Sequence, residues 1–77
     1  MDLAQVLTNI ARAIVDNPDE VKVTETVNGD NVELVLTVAE SDTGMVIGRH
    51  GKIAKAIRTL MKAAATPEGK RITVEIK

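Results

Sequence analysis

The chain has 77 residues, no cysteine, no Phe, Tyr or Trp, and a formal net charge of −1. This length predicts a single domain, residues 1–77, because it leaves no room for a second core. The lack of cysteine excludes disulfides and thiolate metal sites, and no cofactor is expected. With one serine and one histidine, Ser41 and His50, a hydrolytic triad is disfavoured, so neither an enzyme nor a catalytic residue is predicted.

The small net charge hides a strong asymmetry along the chain. Residues 1–42 carry two basic and nine acidic side chains, a local charge of −7. Residues 43–72 carry seven basic side chains against Glu68, a local charge of +6. A phosphate ligand responds to the local field, so the acidic total does not argue against a nucleic-acid partner.

The chain shows no targeting pattern. Its first residues lack a basic region followed by an apolar one, so no signal peptide is expected. No apolar run approaches membrane-spanning length. We therefore expect a cytoplasmic protein without membrane association.

The first half predicts one helix and a hairpin. Apolar residues recur with a helical period over residues 3–14, and Pro18 and the two residues before it end this helix. Alternating residues then predict strands over 21–27 and 32–38, joined by an Asn-Gly-Asp-Asn turn. Glu25 interrupts the alternation of the first strand.

The second half predicts two helices and a closing strand. Asp42 is expected to cap a short helix over residues 43–47. Glycines interrupt it at 48–51, a longer helix follows over 52–65, and alternation predicts a strand over 72–76. The order is therefore helix, strand, strand, helix, helix, strand.

The longer helix is predicted to have two faces, with residues placed at intervals of about 100°. The apolar face consists of Ile53, Ile57, Leu60, Met61 and Ala64. The basic face consists of Lys52, Lys55, Arg58 and Lys62. Arg58 and Lys62 are interpreted as a solvated surface, whereas Lys52 and Lys55 lie in the first turn, beside the glycines.

The segment Gly48-Arg49-His50-Gly51 is the candidate site. A glycine at each end lets the backbone turn sharply and approach a ligand closely. The amides that open the next helix favour a phosphate oxygen, and Arg49 can fork onto a phosphate or stack on a base. The same glycines would also suit a plain turn between two helices.

Two other phosphate-binding motifs do not fit the loop. A Walker loop would need glycine at Val46 and Ser or Thr at Ile53, and a dinucleotide fingerprint would also need glycine at Val46. His50 is either an exposed loop residue or a base or phosphate contact, and no metal site is predicted because no second ligand of suitable type is near.

The segment from Gly44 to Arg58, GMVIGRHGKIAKAIR, resembles the KH signature of small bacterial KH-domain proteins of the KhpA type. The resemblance covers essentially the whole chain. It implies an α+β fold of the type II KH class, with a three-stranded sheet and three helices packed on one face. It also implies that single-stranded RNA lies in an aliphatic groove, where the loop clamps the backbone of about four nucleotides.

Carried over position by position, the resemblance makes Gly48–Gly51 the clamp, Ile47 part of the groove floor and Lys52 a phosphate contact. The predicted RNA-binding residues are Ile47, Gly48, Arg49, His50, Gly51, Lys52 and Lys55. Ile53 follows the second glycine by two positions, whereas the eukaryotic KH pattern places its isoleucine three positions after it. We therefore expect the groove to differ in detail from that pattern.

The predicted function is RNA binding with low sequence specificity and a regulatory role. The resemblance also implies a homodimer and a larger partner protein with its own KH domain, tied to cell shape, elongation and division in some bacteria. The dimer surface is expected at the short helix beside the loop or at a sheet edge. The alternative is a KH-fold interaction or dimerisation module that no longer binds RNA, which the acidic first half would suit.

Overall fold

The computed structural model describes residues 2–77, and its elements follow the predicted order. The helices are α1 (Leu3–Ile14), α2 (Thr43–Ile47) and α3 (Lys52–Ala65). The strands are β1 (Lys22–Asn28), β2 (Asn31–Thr37) and β3 (Arg71–Ile76). Single turns of 3₁₀ helix lie in the connections, including one between α2 and α3.

The three strands form one sheet with β2 in the centre. β2 runs antiparallel to β1 and parallel to β3. Its side chains alternate in burial, with Val32, Leu34 and Leu36 buried and Glu33 exposed, because the helices cover only one face. The predicted fold class is confirmed: an α+β chain with three helices on one face of a three-stranded sheet.

α1 covers the range that the sequence predicts. The Asp2 side chain caps it by accepting a hydrogen bond from the Gln5 backbone N–H at 3.1 Å. Leu3, Leu7 and Ala11 are buried at intervals of four residues, so this helix contributes one continuous stripe to the core.

The apolar face predicted for α3 is only partly buried. Its buried residues are Ala54, Ile57, Met61 and Ala65. Ile53 is 39% exposed and Leu60 is 55% exposed. α3 carries more apolar residues than its contact with the core can bury. The prediction placed all of the large ones on one face, so it could not separate the buried residues from the exposed ones.

Asp42 does not cap α2, contrary to the prediction. Its carboxylate is buried and accepts from the Asn17 backbone N–H at 3.0 Å, from Asn17 Nδ2 at 3.1 Å and from the Asp16 N–H at 3.4 Å. A buried carboxylate needs donors, and the turn after α1 supplies them. Asp42 therefore joins the end of α1 to the start of α2.

β1 includes Glu25, the residue that interrupts the alternation of the predicted strand. Glu25 pairs with Leu34 of β2, and its side chain is exposed although its position is on the helix-facing side. The reason is that the outer end of β1 lies beyond the helices: Val27, on the same side, is 54% exposed. A charge there does not need to be buried.

Candidate nucleic-acid interface

The loop between α2 and α3 is a tight turn built on left-handed backbone. Gly48 has φ 75° and ψ 175°, Gly51 has φ 74° and ψ 13°, and His50 between them has φ 57°. The Gly48 N–H donates to the Gly44 carbonyl at 2.9 Å, and the Gly51 N–H donates to the Gly48 carbonyl at 3.2 Å. These bonds hold the loop in one defined shape.

The two glycines are required for different reasons. A Cβ on Gly48 would meet Cγ1 of Ile53, and would lie 2.8 Å from the Cβ and 2.9 Å from the backbone N of the same residue. A Cβ on Gly51 would meet nothing within 4 Å. Crowding within the chain therefore requires glycine at position 48 but not at position 51. At Gly51 only the positive φ favours glycine.

His50 lies at the tip of the turn with an exposed side chain. It is the one non-glycine residue with positive φ in the described chain, 2–77. Histidine is among the residues enriched in this left-handed region. The backbone conformation therefore sets the position of the His50 side chain at the tip of the turn, next to Arg49, which is also exposed.

Aliphatic side chains surround the loop. Met45 and Ile47 of α2 and Ile53 of α3 are each more than a third exposed. Val46, between the first two, is completely buried and anchors α2 to the core. Ile47, the predicted groove floor, is therefore available to a ligand.

A cleft between α3 and β3 extends the site along the helix. It consists of two adjoining cavities of about 240 Å³ each, which share Lys62 and Ile72. The cleft is lined by Arg58, Lys62, Thr66, Lys70, Arg71, Ile72, Thr73 and Val74. The wall of the cleft on β3 is partly apolar. Four of the residues that line the whole cleft are basic.

The basic side chains of α3 lead from the loop to this cleft. Lys55, Arg58 and Lys62 are all exposed and lie within an arc of about 60° on the helix. We call these three residues the basic stripe. Lys55 is in the first turn of α3, beside the loop, whereas Arg58 and Lys62 line the cleft.

The structure therefore brings the predicted site residues together at one end of α3 and adds residues that sequence reasoning missed. Arg58 and Lys62 were interpreted as a solvated face, and Lys70 and Arg71 were not considered. The sequence does contain an indication of these residues, because the short connection after α3 returns the chain directly into β3. That return places Lys70 and Arg71, at the start of β3, beside the last turns of the helix.

Across residues 2–77, no three His, Cys, Asp or Glu residues form a group able to hold a metal ion. No helix in the same range is long and apolar enough to cross a membrane.

The order of elements, the mixed sheet and a G-x-x-G turn between α2 and α3 define a KH domain of type II. The family model for the KH domain of KhpA/KhpB matches residues 4–76. The chain therefore belongs to the KhpA/KhpB KH-domain family.

Curated relatives agree with this assignment. RNA-binding protein KhpA of Clostridium acetobutylicum is 53% identical over 96% of this chain and 99% of its own length. RNA-binding protein KhpA of Bacillus subtilis is 39% identical over 96% of this chain and 91% of its own length. Both relatives are named for RNA binding rather than for a reaction.

Solved structures share the fold at low sequence identity. A crystal structure of Aquifex aeolicus Era bound to GDP and aluminium fluoride has a TM-score of 0.69 at 17% identity. A structure of Era with MgGDPNP and a segment of 16S ribosomal RNA has a TM-score of 0.63 at 17% identity. Each match covers 96% of this chain but only 29% and 28% of the Era chains.

Proposed function

We propose that this chain is a single RNA-binding module that grips single-stranded RNA between the loop Gly48–Gly51 and the cleft of α3 and β3. The observation that carries the proposal is the position of the glycine turn, at the start of a helix whose basic stripe runs into that cleft. Curated relatives named RNA-binding protein KhpA support the same choice of ligand.

Each residue has a distinct task in this proposal. Gly48 and Gly51 keep the loop slim enough for a phosphate to approach the backbone. Arg49 contributes a charged fork, and Lys52 and Lys55 contribute point charges for the following phosphates. His50 contacts a base or a phosphate from the tip. The exposed aliphatic surface of Ile47 packs against a base.

We expect low sequence specificity overall. The chain has no aromatic residue on which a base could stack, and most polar contacts would go to phosphates, which carry no sequence information. A module that binds many RNAs weakly suits a regulatory role, and we propose the control of cell shape and division as its setting, on the resemblance stated above.

We also propose a homodimer formed through α3. Ile53, Ala56, Leu60 and Ala63 are exposed and lie within an arc of about 80° on the helix. This apolar stripe lies about 150° around α3 from the basic stripe, so a partner on it would leave the cleft open. A larger partner with its own KH domain would use the same apolar stripe.

The alternative, an interaction module that no longer binds RNA, predicts a different response to salt. Binding of a fluorescent single-stranded RNA is measured by anisotropy from 50 to 300 mM KCl. Phosphate contacts release counterions, so we expect the logarithm of the affinity to fall linearly with the logarithm of salt. A salt-independent or absent signal would reject RNA binding, and retained dimerisation in the same sample would then favour the interaction module.

A further inference from the structure

β3 is an edge strand, and its outer edge faces the cleft. On the inner side, the Arg71 N–H donates to the Asp30 carbonyl at 2.8 Å, and the Lys77 N–H donates to the Leu36 carbonyl at 2.8 Å. In a parallel ladder, alternate residues bond to the same neighbouring strand. The backbone N–H and C=O groups of the odd-numbered residues of β3 therefore face β2. Those of Ile72, Val74 and Ile76 point outward.

One of these outward groups is already occupied by a side chain of α3. Arg58 Nε donates to the Val74 carbonyl at 3.1 Å. A guanidinium has five N–H donors, and Nε accounts for one of them, so four donors remain on its two terminal nitrogens. The bond also restrains the long side chain, which fixes the direction in which these four donors point.

The hydrogen bond from Arg58 to Val74 changes the hydrogen-bonding character of the cleft beside β3. Without Arg58, the Val74 carbonyl would present a hydrogen-bond acceptor. With Arg58, the same place presents a planar pair of donors next to the half-buried apolar side chain of Ile72, in a cavity of about 240 Å³. A flat apolar ligand with acceptors along one edge matches these surroundings, and a nucleobase is such a ligand.

We propose that Arg58 makes this part of the cleft a guanine-preferring subsite, which rests on the proposed RNA-binding function. Guanine places O6 and N7 side by side as two acceptors, the pattern that a guanidinium fork contacts in pairs. Adenine places a donor, its N6 amino group, beside N7, so it cannot accept both arms of the fork, and the preference is for guanine over adenine. The subsite therefore adds a preference at one nucleotide to an otherwise unspecific clamp.

The test compares two eight-nucleotide RNAs, one all adenosine and one with a single guanosine in the middle, by anisotropy at fixed salt. Wild type is expected to bind the guanosine RNA about five- to tenfold more tightly, as one bidentate base contact allows. Arg58→Lys keeps the charge but loses the fork, and should lower this ratio below about twofold with the salt dependence unchanged. The ratio is measured within one protein sample, so partial unfolding does not alter it.

Lys62→Gln is the matched control, because Lys62 lines the same cavity but donates no bond to the β3 edge in the described contacts. It should weaken binding to both RNAs by the same factor. A wild-type ratio near one, or an equal ratio in Arg58→Lys, would overturn the guanine subsite while leaving RNA binding intact. Absence of any salt-dependent binding by wild type would instead overturn the proposed function together with the subsite.

Discussion

Ile53 occupies the space in which Gly48 would carry a side chain. A Cβ on Gly48 would lie 2.8 Å from the Ile53 Cβ, closer than such atoms approach in folded proteins. This contact joins the first residue of the loop to the first turn of α3. The shape of the loop is therefore fixed by packing inside the chain as well as by backbone freedom.

Gly48→Ala should disrupt the loop, whereas Gly51→Asn should not. Gly48 combines the clash with φ and ψ values that almost only glycine adopts, so we expect a loss of about 3 kcal/mol in unfolding free energy and of RNA binding. Asparagine tolerates the left-handed backbone of Gly51, where space is open, so its cost should stay near 1 kcal/mol. Urea unfolding measures both, and equal losses would contradict the packing argument.

Replacing Arg49 and His50 together by Asp should abolish RNA binding and change the unfolding free energy by about 0.5 kcal/mol or less. Both side chains are exposed, and Asp tolerates the left-handed backbone of His50. Asn9→Asp with Arg12→Asp is the matched control, because it changes the charge equally at exposed positions of α1. RNA affinity equal to that of the control would refute the clamp.

Asp42→Ala should destabilise the chain by about 3 kcal/mol, because it leaves the donors of Asp16 and Asn17 without their acceptor. Asp42→Asn keeps one side-chain oxygen as an acceptor and should cost less. Glu40→Gln, at an exposed position in the same turn, is the control and should have little effect. Thermal unfolding, monitored by circular dichroism, ranks the stabilities of the three variants. A Glu40→Gln variant as unstable as Asp42→Ala would contradict the stabilising role assigned to the Asp42 carboxylate.

Most of the fold could be predicted from the sequence, because periodicity and turn residues are local properties. The end of α2 and the start of α3 follow from the glycines that separate them, and the strands follow from their alternation. What could not be predicted depends on distant contacts. Asp42 bonds to residues 25 and 26 positions away, and the spacing of Leu60 on its helix does not reveal that no element covers it.

The same limit explains the outcome for the site. The loop is contiguous in sequence, so its residues could be assembled from a motif. Arg58 lies 16 residues from Val74, and only the return of the chain into β3 makes them neighbours. A basic residue on an amphipathic helix normally has no partner of this kind, so sequence reasoning assigned Arg58 to solvent.

The last prediction concerns the dimer proposed on the apolar stripe of α3. Leu60→Glu should convert a dimer into a monomer at micromolar concentration, because a charge at the centre of an apolar interface loses its hydration without gaining a partner. Val27→Glu is the matched control: Val27 is 54% exposed and Leu60 is 55% exposed, so the two changes are chemically alike but lie on β1 and α3. Neither substitution removes a buried contact, and both should leave the unfolding free energy of the monomer nearly unchanged.

Sedimentation velocity at several protein concentrations separates the outcomes. Dissociation by Leu60→Glu alone supports the apolar stripe, dissociation by Val27→Glu alone moves the interface to the edge of the sheet, and a wild-type monomer at every concentration refutes the dimer. Adding RNA to the wild-type dimer gives an independent check. The basic and apolar stripes lie about 150° apart on α3, so RNA should bind without dissociating the dimer. If RNA splits the dimer instead, the interface includes the loop or α2, as the sequence alone had suggested.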